Sequence, residues 1–238
     1  MTDRPILFSG PMVRALLAGT KTQTRRDLTK TFARYPHLVG YETDGNLKKL
    51  DGKNVPHVEF VHSLLGLWHP EDNPRGRSGW YVPLKAAVGD QLWVREAWRC
   101  NGWATDVATI FYAASEGDGY TAMCEQYPVA DKRPLRVTAG WRPSIHMPRW
   151  ASRLTLIVTD VRVERLQDIS EADAKAEGVS DEFTDYELYG QSQPYRFGYS
   201  SLWNLINGEG AWDANPWVVA YTFTVQRGNI DQIAQVAA

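Results

Sequence analysis

Cysteine is scarce in this chain, and the two present, Cys100 and Cys124, do not form a C-x-x-C pair. A disulfide scaffold and a cysteine-rich zinc site are therefore both excluded. No run of about eighteen apolar residues occurs, and Met1-Thr2-Asp3-Arg4-Pro5 opens without the apolar core of a signal peptide, so neither membrane insertion nor export is indicated. The expected compartment is the cytoplasm, where both thiols stay reduced and serve as packing residues. Three common catalytic signatures are missing as well: G-x-S-x-G, H-E-x-x-H and the phosphate-cradling G-x-x-x-x-G-K-[ST]. Among the five histidines, His57, His62 and His69 lack zinc spacing and have no cysteine partner, so no metal and no cofactor are expected. There is no internal repeat and no low-complexity tract.

What remains is a 238-residue chain, 43% hydrophobic and 23% charged, long enough for one substantial core. Its net charge of −2 conceals an asymmetry. Residues 1–163 carry 22 basic and 16 acidic side chains, whereas residues 164–238 carry 4 basic and 12 acidic. Within the first part, Lys132, Arg133, Arg136, Arg142, Arg149 and Arg153 are interleaved with Trp141 and Trp150. Cations beside aromatic faces suit phosphates and stacked bases, although tryptophans in a core with arginines solvating a loop would read the same way. A protein relying on nonspecific RNA affinity would be more basic overall, so any nucleic-acid contact is expected to be local.

Hydrophobic patterning predicts strands at Pro5 to Phe8, Gln91 to Glu96, Ile110 to Ala113, Leu154 to Arg165 and Trp217 to Val225. A short helix is predicted from Met12 to Ala18, with Ser9 or Gly10 to cap it, Pro11 at its first turn and Gly19 to stop it. A second starts at Ser170 and ends at Gly178, and a third covers Leu202 to Ile206. Residues 30–86, with Asp44-Gly45, Asp51-Gly52 and Asn73-Pro74 as turn signals, read as an insertion of hairpins or an irregular flap. Residues 180–198 read as a second insertion. The expected organisation is one domain over residues 1–226 with a tail at 227–238 that frays or forms a short helix.

The stretch richest in chemistry is Gly19-Thr20-Lys21-Thr22-Gln23-Thr24-Arg25-Arg26, which places hydroxyls, an amine and two guanidiniums just after a packed helix. It can be a cradle for an anion or base, a small hydrolytic site, or a solvated turn leading into a strand.

Gly19-x-Lys21-Thr22-x-Thr24-x-Arg26 resembles the signature of ASCH domains, which belong to the PUA-like superfamily. Further stretches agree in order: Val88 to Glu96, Ile169 to Gly178, and Trp217 to Val225. The resemblance spans nearly the whole chain in pieces, and it implies an α+β fold: a PUA-like mixed β-barrel with a few short helices and long loop insertions. It also implies kinship with small bacterial N4-acetylcytidine amidohydrolases, whose site uses a lysine and a threonine of this motif and a glutamate of the later helix. By that likeness Lys21, Thr24 and Glu177 are the expected catalytic residues, and Arg26, Thr22, Arg95, Glu96 and Arg149 the expected substrate-binding ones. A threonine hydroxyl needs a base, and a lysine whose pKa is lowered by Arg25, Arg26 and burial could serve, while a nearby Glu177 would raise that pKa again. Alternatively Glu177 pairs with Arg26 and only pins its helix. This chain is more than twice as long as the small hydrolases, and larger members of this kind are often encoded by phages and prophages. The expected partner is a modified nucleoside and the alternatives are noncatalytic binding of RNA or a modified base, or ribonuclease action in which Lys21 and Arg26 stabilise a phosphorane.

Overall fold

A computed structural model describes residues 3–28, 41–42, 47–49, 56–62, 80–103, 107–115, 124–128, 140–179 and 193–236. The chain adopts a mixed α+β fold of three sheets and short helices. Its largest sheet has the order β1-β7-β11-β12-β2, from strands Asp3–Leu7 (β1), Gln23–Asp27 (β2), Gln91–Arg95 (β7), Leu154–Arg165 (β11) and Trp217–Arg227 (β12). Strand β1 runs parallel to β7, whereas β11 is antiparallel to β7 and β12 antiparallel to β2. The strand order is linear, and no closed barrel is formed among the described residues. None of the described helices is long and apolar enough to cross a membrane.

The chain divides into two compact units, each assembled from separated stretches. The first takes residues 1–21, 90–157 and 224–238. It contains helix α1 (Gly10–Ala18), where Val13 and Leu16 are buried and Pro11 occupies the first turn. Gly19 ends that helix at φ 76°, the left-handed conformation that a side chain would strain, and its N–H returns to Leu16 O at 3.1 Å. Strands Trp98–Trp103 (β8), Val107–Tyr112 (β9) and Cys124–Pro128 (β10) form an antiparallel sheet in the order β10-β9-β8. Alternation along β8 and β9 sends Trp98, Cys100, Ala108, Ile110 and Tyr112 into a core closed by Met147 and Ala151. Cys100 packs there as expected, and burial pushes its thiol pKa upward. The tail forms helix α4 (Ile230–Val236).

The second unit takes residues 22–89 and 158–223. Where hairpins or a flap were expected, Tyr41–Glu42 (β3), Leu47–Lys49 (β4), Pro56–His62 (β5) and Trp80–Pro83 (β6) make an antiparallel sheet around β5. All three turn signals of that stretch lie outside the described residues. Helix α2 (Glu171–Ala176) starts where Ser170 Oγ accepts the Asp173 N–H at 3.0 Å, and Gly178 follows it at φ 81°. Helix α3 (Pro194–Asn207) is longer than the segment expected at Leu202 to Ile206. Its first turn is held by Glu171, whose carboxylate accepts the N–H groups of Tyr195 and Arg196 at 2.7 and 2.9 Å. Leu166, Ile169, Ala174, Val179, Tyr199, Trp203 and Val218 form the core between these helices and β12.

Candidate functional site

Strand β2 carries the second half of the polar octapeptide. A solvated turn would leave these groups in water, yet within β2 Gln23, Thr24 and Arg25 are buried. β2 is paired along one edge, with Gln23 to Asp27 opposite Thr222 to Val218 of β12. Thr22 is exposed but structurally fixed. Its N–H donates to Ala176 O at 2.8 Å, and its carbonyl accepts from Phe223 N at 2.9 Å. The residue before Thr24's strand thus sits beside the last turn of α2, and the two stretches singled out by sequence, the octapeptide and the helix ended by Gly178, run next to one another.

Arg25 is the hub of the buried polar groups in this unit. Its Nε and Nη2 reach Glu164 Oε1 at 2.9 and 2.7 Å, and Nη2 also lies 3.5 Å from Asp173 Oδ2. Nη1 donates to Gln23 Oε1 at 2.6 Å and to Glu177 Oε1 at 3.2 Å. Gln23 completes the arrangement by donating from Nε2 to Asp173 Oδ1 at 3.0 Å and Thr222 Oγ1 at 3.1 Å. Arg162 adds a second guanidinium, 3.3 Å from Asp173 Oδ2. A buried carboxylate is tolerated only when paired and hydrogen-bonded, and a five-donor fork suits that task better than an ammonium.

The electrostatics follow from these neighbours. Burial alone would lower the Arg25 pKa, but the charges of Glu177 and Glu164 hold it above its ordinary value. Half-buried Arg26 lacks that balance, and burial draws its pKa down despite the nearby charge of Glu177. Burial would raise the Asp173 pKa, yet hydrogen bonds from Gln23 and Ser170 and the charges of Arg162 and Arg25 bring it below 3.8. The Tyr199 phenol is pushed well above 10.0, first by burial and then by Glu177.

Lys21 belongs to the first unit, where its side chain is fully buried and its ammonium lies 5.7 Å from the Phe8 ring centroid. The substrate-binding expectations distribute unevenly. Arg95 is half-buried with its guanidinium 4.6 Å from the Trp93 ring. Buried Glu96 accepts from Arg153 through both carboxylate oxygens, at 2.8 and 2.9 Å, while Arg153 also bonds Ser115 and lies over Tyr112. Arg149 bridges Asp3 and Asp231, each at 2.8 Å, tying β1 to α4. Two of the arginines read as phosphate contacts, Arg149 and Arg153, are thus engaged with carboxylates of their own unit.

Sequence reasoning did not single out Glu164, Gln23 or Tyr199 as members of this cluster. The available signal was the two-residue period of Gln23 and Arg25, which puts two polar groups on one face of a paired strand and so demands partners. A shallow cavity of about 210 Å³ lies elsewhere in this unit, lined by Gln193, Arg196, Phe197, Ser200 and Trp212, and holds none of the motif residues. Among the described residues no group of three or more His, Cys, Asp or Glu side chains is arranged to hold a metal ion. No protein-family model, curated protein or solved structure matches this chain.

Proposed function

We propose that this chain is a metal-independent amidohydrolase of the ASCH kind, which removes the acyl group from N4-acetylcytidine or a related N4-acylated cytosine nucleoside. The observation that carries the reading is the Thr22 N–H to Ala176 O hydrogen bond, which runs the octapeptide alongside the end of α2. Burial of Lys21, Thr24 and Glu177 adds to it, because a solvated turn has no reason to bury an amine, a hydroxyl and a carboxylate. The four stretches that carry the family likeness fall in order on β2, β7, α2 and β12. A PUA-like relationship of this mixed fold is part of the same proposal.

In this reaction water is added across the amide. Thr24, or a water it orients, attacks the carbonyl carbon, and Lys21 takes the proton. The carbonyl–nitrogen bond then breaks, the exocyclic nitrogen of cytosine receives a proton, and the acyl group leaves as a carboxylate, at once where water attacked and after a water molecule hydrolyses the Thr24 ester where Thr24 did. Glu177, fixed by Arg25, is an acceptor and suits orientation of the proton carrier. Arg26 supplies positive charge for the carbonyl oxygen as it becomes anionic.

The deciding experiment incubates purified protein with N4-acetylcytidine and with a longer N4-acyl analogue, following cytidine by chromatography, with Lys21→Ala in parallel. Release by the wild type and none by the variant supports the amidase reading. No release from either substrate overturns it for nucleosides and favours RNA assays.

A further inference from the structure

Tyr199 of helix α3 is only 3% exposed, yet its hydroxyl makes no hydrogen bond among the described residues. The ring itself is firmly placed. Its centroid stands 6.1 Å from that of Trp203 and 6.3 Å from that of Trp212, the latter edge-on. It shares the core of the second unit with Ala174 and Val179, which flank Glu177 in sequence, and with Val218, whose strand partner Asp27 follows Arg26. The phenol accordingly meets the charges of Glu177, Arg25, Arg26 and Glu164. Other buried polar groups around it are bound to one another: Arg25 bonds Glu164, Gln23 and Glu177, and Gln23 bonds Asp173 and Thr222. A buried hydroxyl left without an acceptor destabilises the fold, so packing alone gives no reason for a tyrosine in place of a phenylalanine here.

We infer that Tyr199 is a further catalytic residue, whose hydroxyl donates a hydrogen bond to the acyl carbonyl oxygen of the N4-acylated cytosine and holds it more strongly as that oxygen becomes anionic. The inference rests on the amidase reading of this site and adds a donor to it. An amide carbonyl supplies the acceptor that the phenol lacks within the protein. Burial, and then the charge of Glu177, keep the phenol protonated, so it donates without giving up its proton, and the proton taken from the nucleophile stays with Lys21. Arg26 brings charge to the same oxygen, whereas Tyr199 brings a directed O–H. Two tryptophans already hold its ring, so the donor needs little reorganisation when the charge develops.

The test compares wild type with Tyr199→Phe, which removes the hydroxyl and keeps the ring, in steady-state hydrolysis of N4-acetylcytidine and in urea denaturation. Removing one donor to an oxyanion should lower kcat roughly a hundredfold, while KM changes little because the bond strengthens only as the charge develops. The denaturation midpoint should stay where it is or rise, since no partner within the protein is lost. A structural tyrosine would give the opposite pattern, with a lower midpoint and turnover reduced only in proportion to unfolding. A clearly lower midpoint, or a variant that does not fold, therefore overturns the inference by showing that the protein itself holds the hydroxyl. Wild-type kcat in the folded variant, or a raised KM with kcat unchanged, overturns it while leaving the amidase reading intact. No cytidine release by the wild type overturns the amidase reading, and the role of Tyr199 falls with it.

Discussion

Arg25 and Glu177, separated by 152 residues in sequence, are joined in the interior of the second unit by a 3.2 Å contact between Nη1 and Oε1. The sequence offered Arg26 as a partner that would pin the helix; Arg25 makes this contact, and Arg26 also feels the charge of Glu177. The pairing has two effects. It fixes the carboxylate at the C-terminal end of α2, and it makes one guanidinium responsible for Glu164, Asp173 and Glu177 together.

Removing that guanidinium should be severe. Arg25→Ala leaves buried Glu177 and the largely covered Glu164 without this counter-charge, and breaking a buried ion pair from one side costs about 3–5 kcal/mol. Arg25→Lys should recover only part of the loss, since one ammonium cannot reproduce the separate bonds to Gln23, Glu164 and Glu177. Urea denaturation of the two variants measures both. A loss below about 1 kcal/mol for Arg25→Ala would show that the network contributes no more than a surface pair.

Acid should weaken this unit through Asp173. Its folded pKa lies below the ordinary 3.8, so protons bind the unfolded chain more readily. The resulting stability is fully present above the unfolded value and disappears as pH falls through the lower, folded one. Asp173→Asn should flatten that part of the stability profile while leaving the neutral-pH slope unchanged. Denaturation midpoints across the acid range would reveal the difference, and parallel profiles for wild type and variant would contradict it.

Local signals were readable where a single residue type controls the backbone. Gly19 and Gly178 mark helix ends because both adopt positive φ, and the β-branched run from Leu154 to Arg165 forms a strand with those bounds. Helix α3 was harder. Pro194 at its start is a proper signal, but Tyr195, Phe197, Gly198 and the two serines have modest helical propensity, and tertiary packing of Tyr199 and Trp203 supplies the rest. The ion network was not legible at all from local pattern. Glu164 reads as one residue of an alternating strand, and nothing nearby announces an arginine 139 positions away. The charge asymmetry gains a meaning in retrospect: Arg25, from the basic part, is neutralised by Glu164, Asp173 and Glu177, all from the acidic part. Part of the imbalance is therefore internal pairing and not a surface for a partner.

Two arginines of the first unit should respond very differently to truncation. Arg153 is buried and grips Glu96 with two hydrogen bonds, so Arg153→Ala takes this counter-charge from a carboxylate that is itself 1% exposed and should cost about 3–5 kcal/mol. Arg149 joins Asp3 and Asp231 in partly exposed pairs, and Arg149→Ala should cost only about 0–1 kcal/mol, less at high salt. Thermal denaturation of both variants at two salt concentrations separates the cases. Equal losses would mean that desolvation of Glu96 does not govern this site.

The short helix α2 should depend on its ends more than on its length. With only Glu171–Ala176 helical, it has few internal hydrogen bonds, and its geometry rests on the Ser170 cap and on Gly178. Ser170→Ala removes the acceptor for the Asp173 N–H and should cost about 1 kcal/mol. Gly178→Ala forces a side chain into φ 81° and should cost roughly 1–2 kcal/mol. The two differ in what else they disturb. Gly178 directly follows Glu177, so strain there displaces the carboxylate from Arg25, whereas the Ser170 cap lies a full helix away. If Glu177 serves hydrolysis, Gly178→Ala should lower turnover well beyond its effect on stability, while Ser170→Ala should lower stability alone. Steady-state kinetics on cytidine release, at a temperature where both variants are folded, tests this, and equal turnover in the two variants would detach Glu177 from the chemistry.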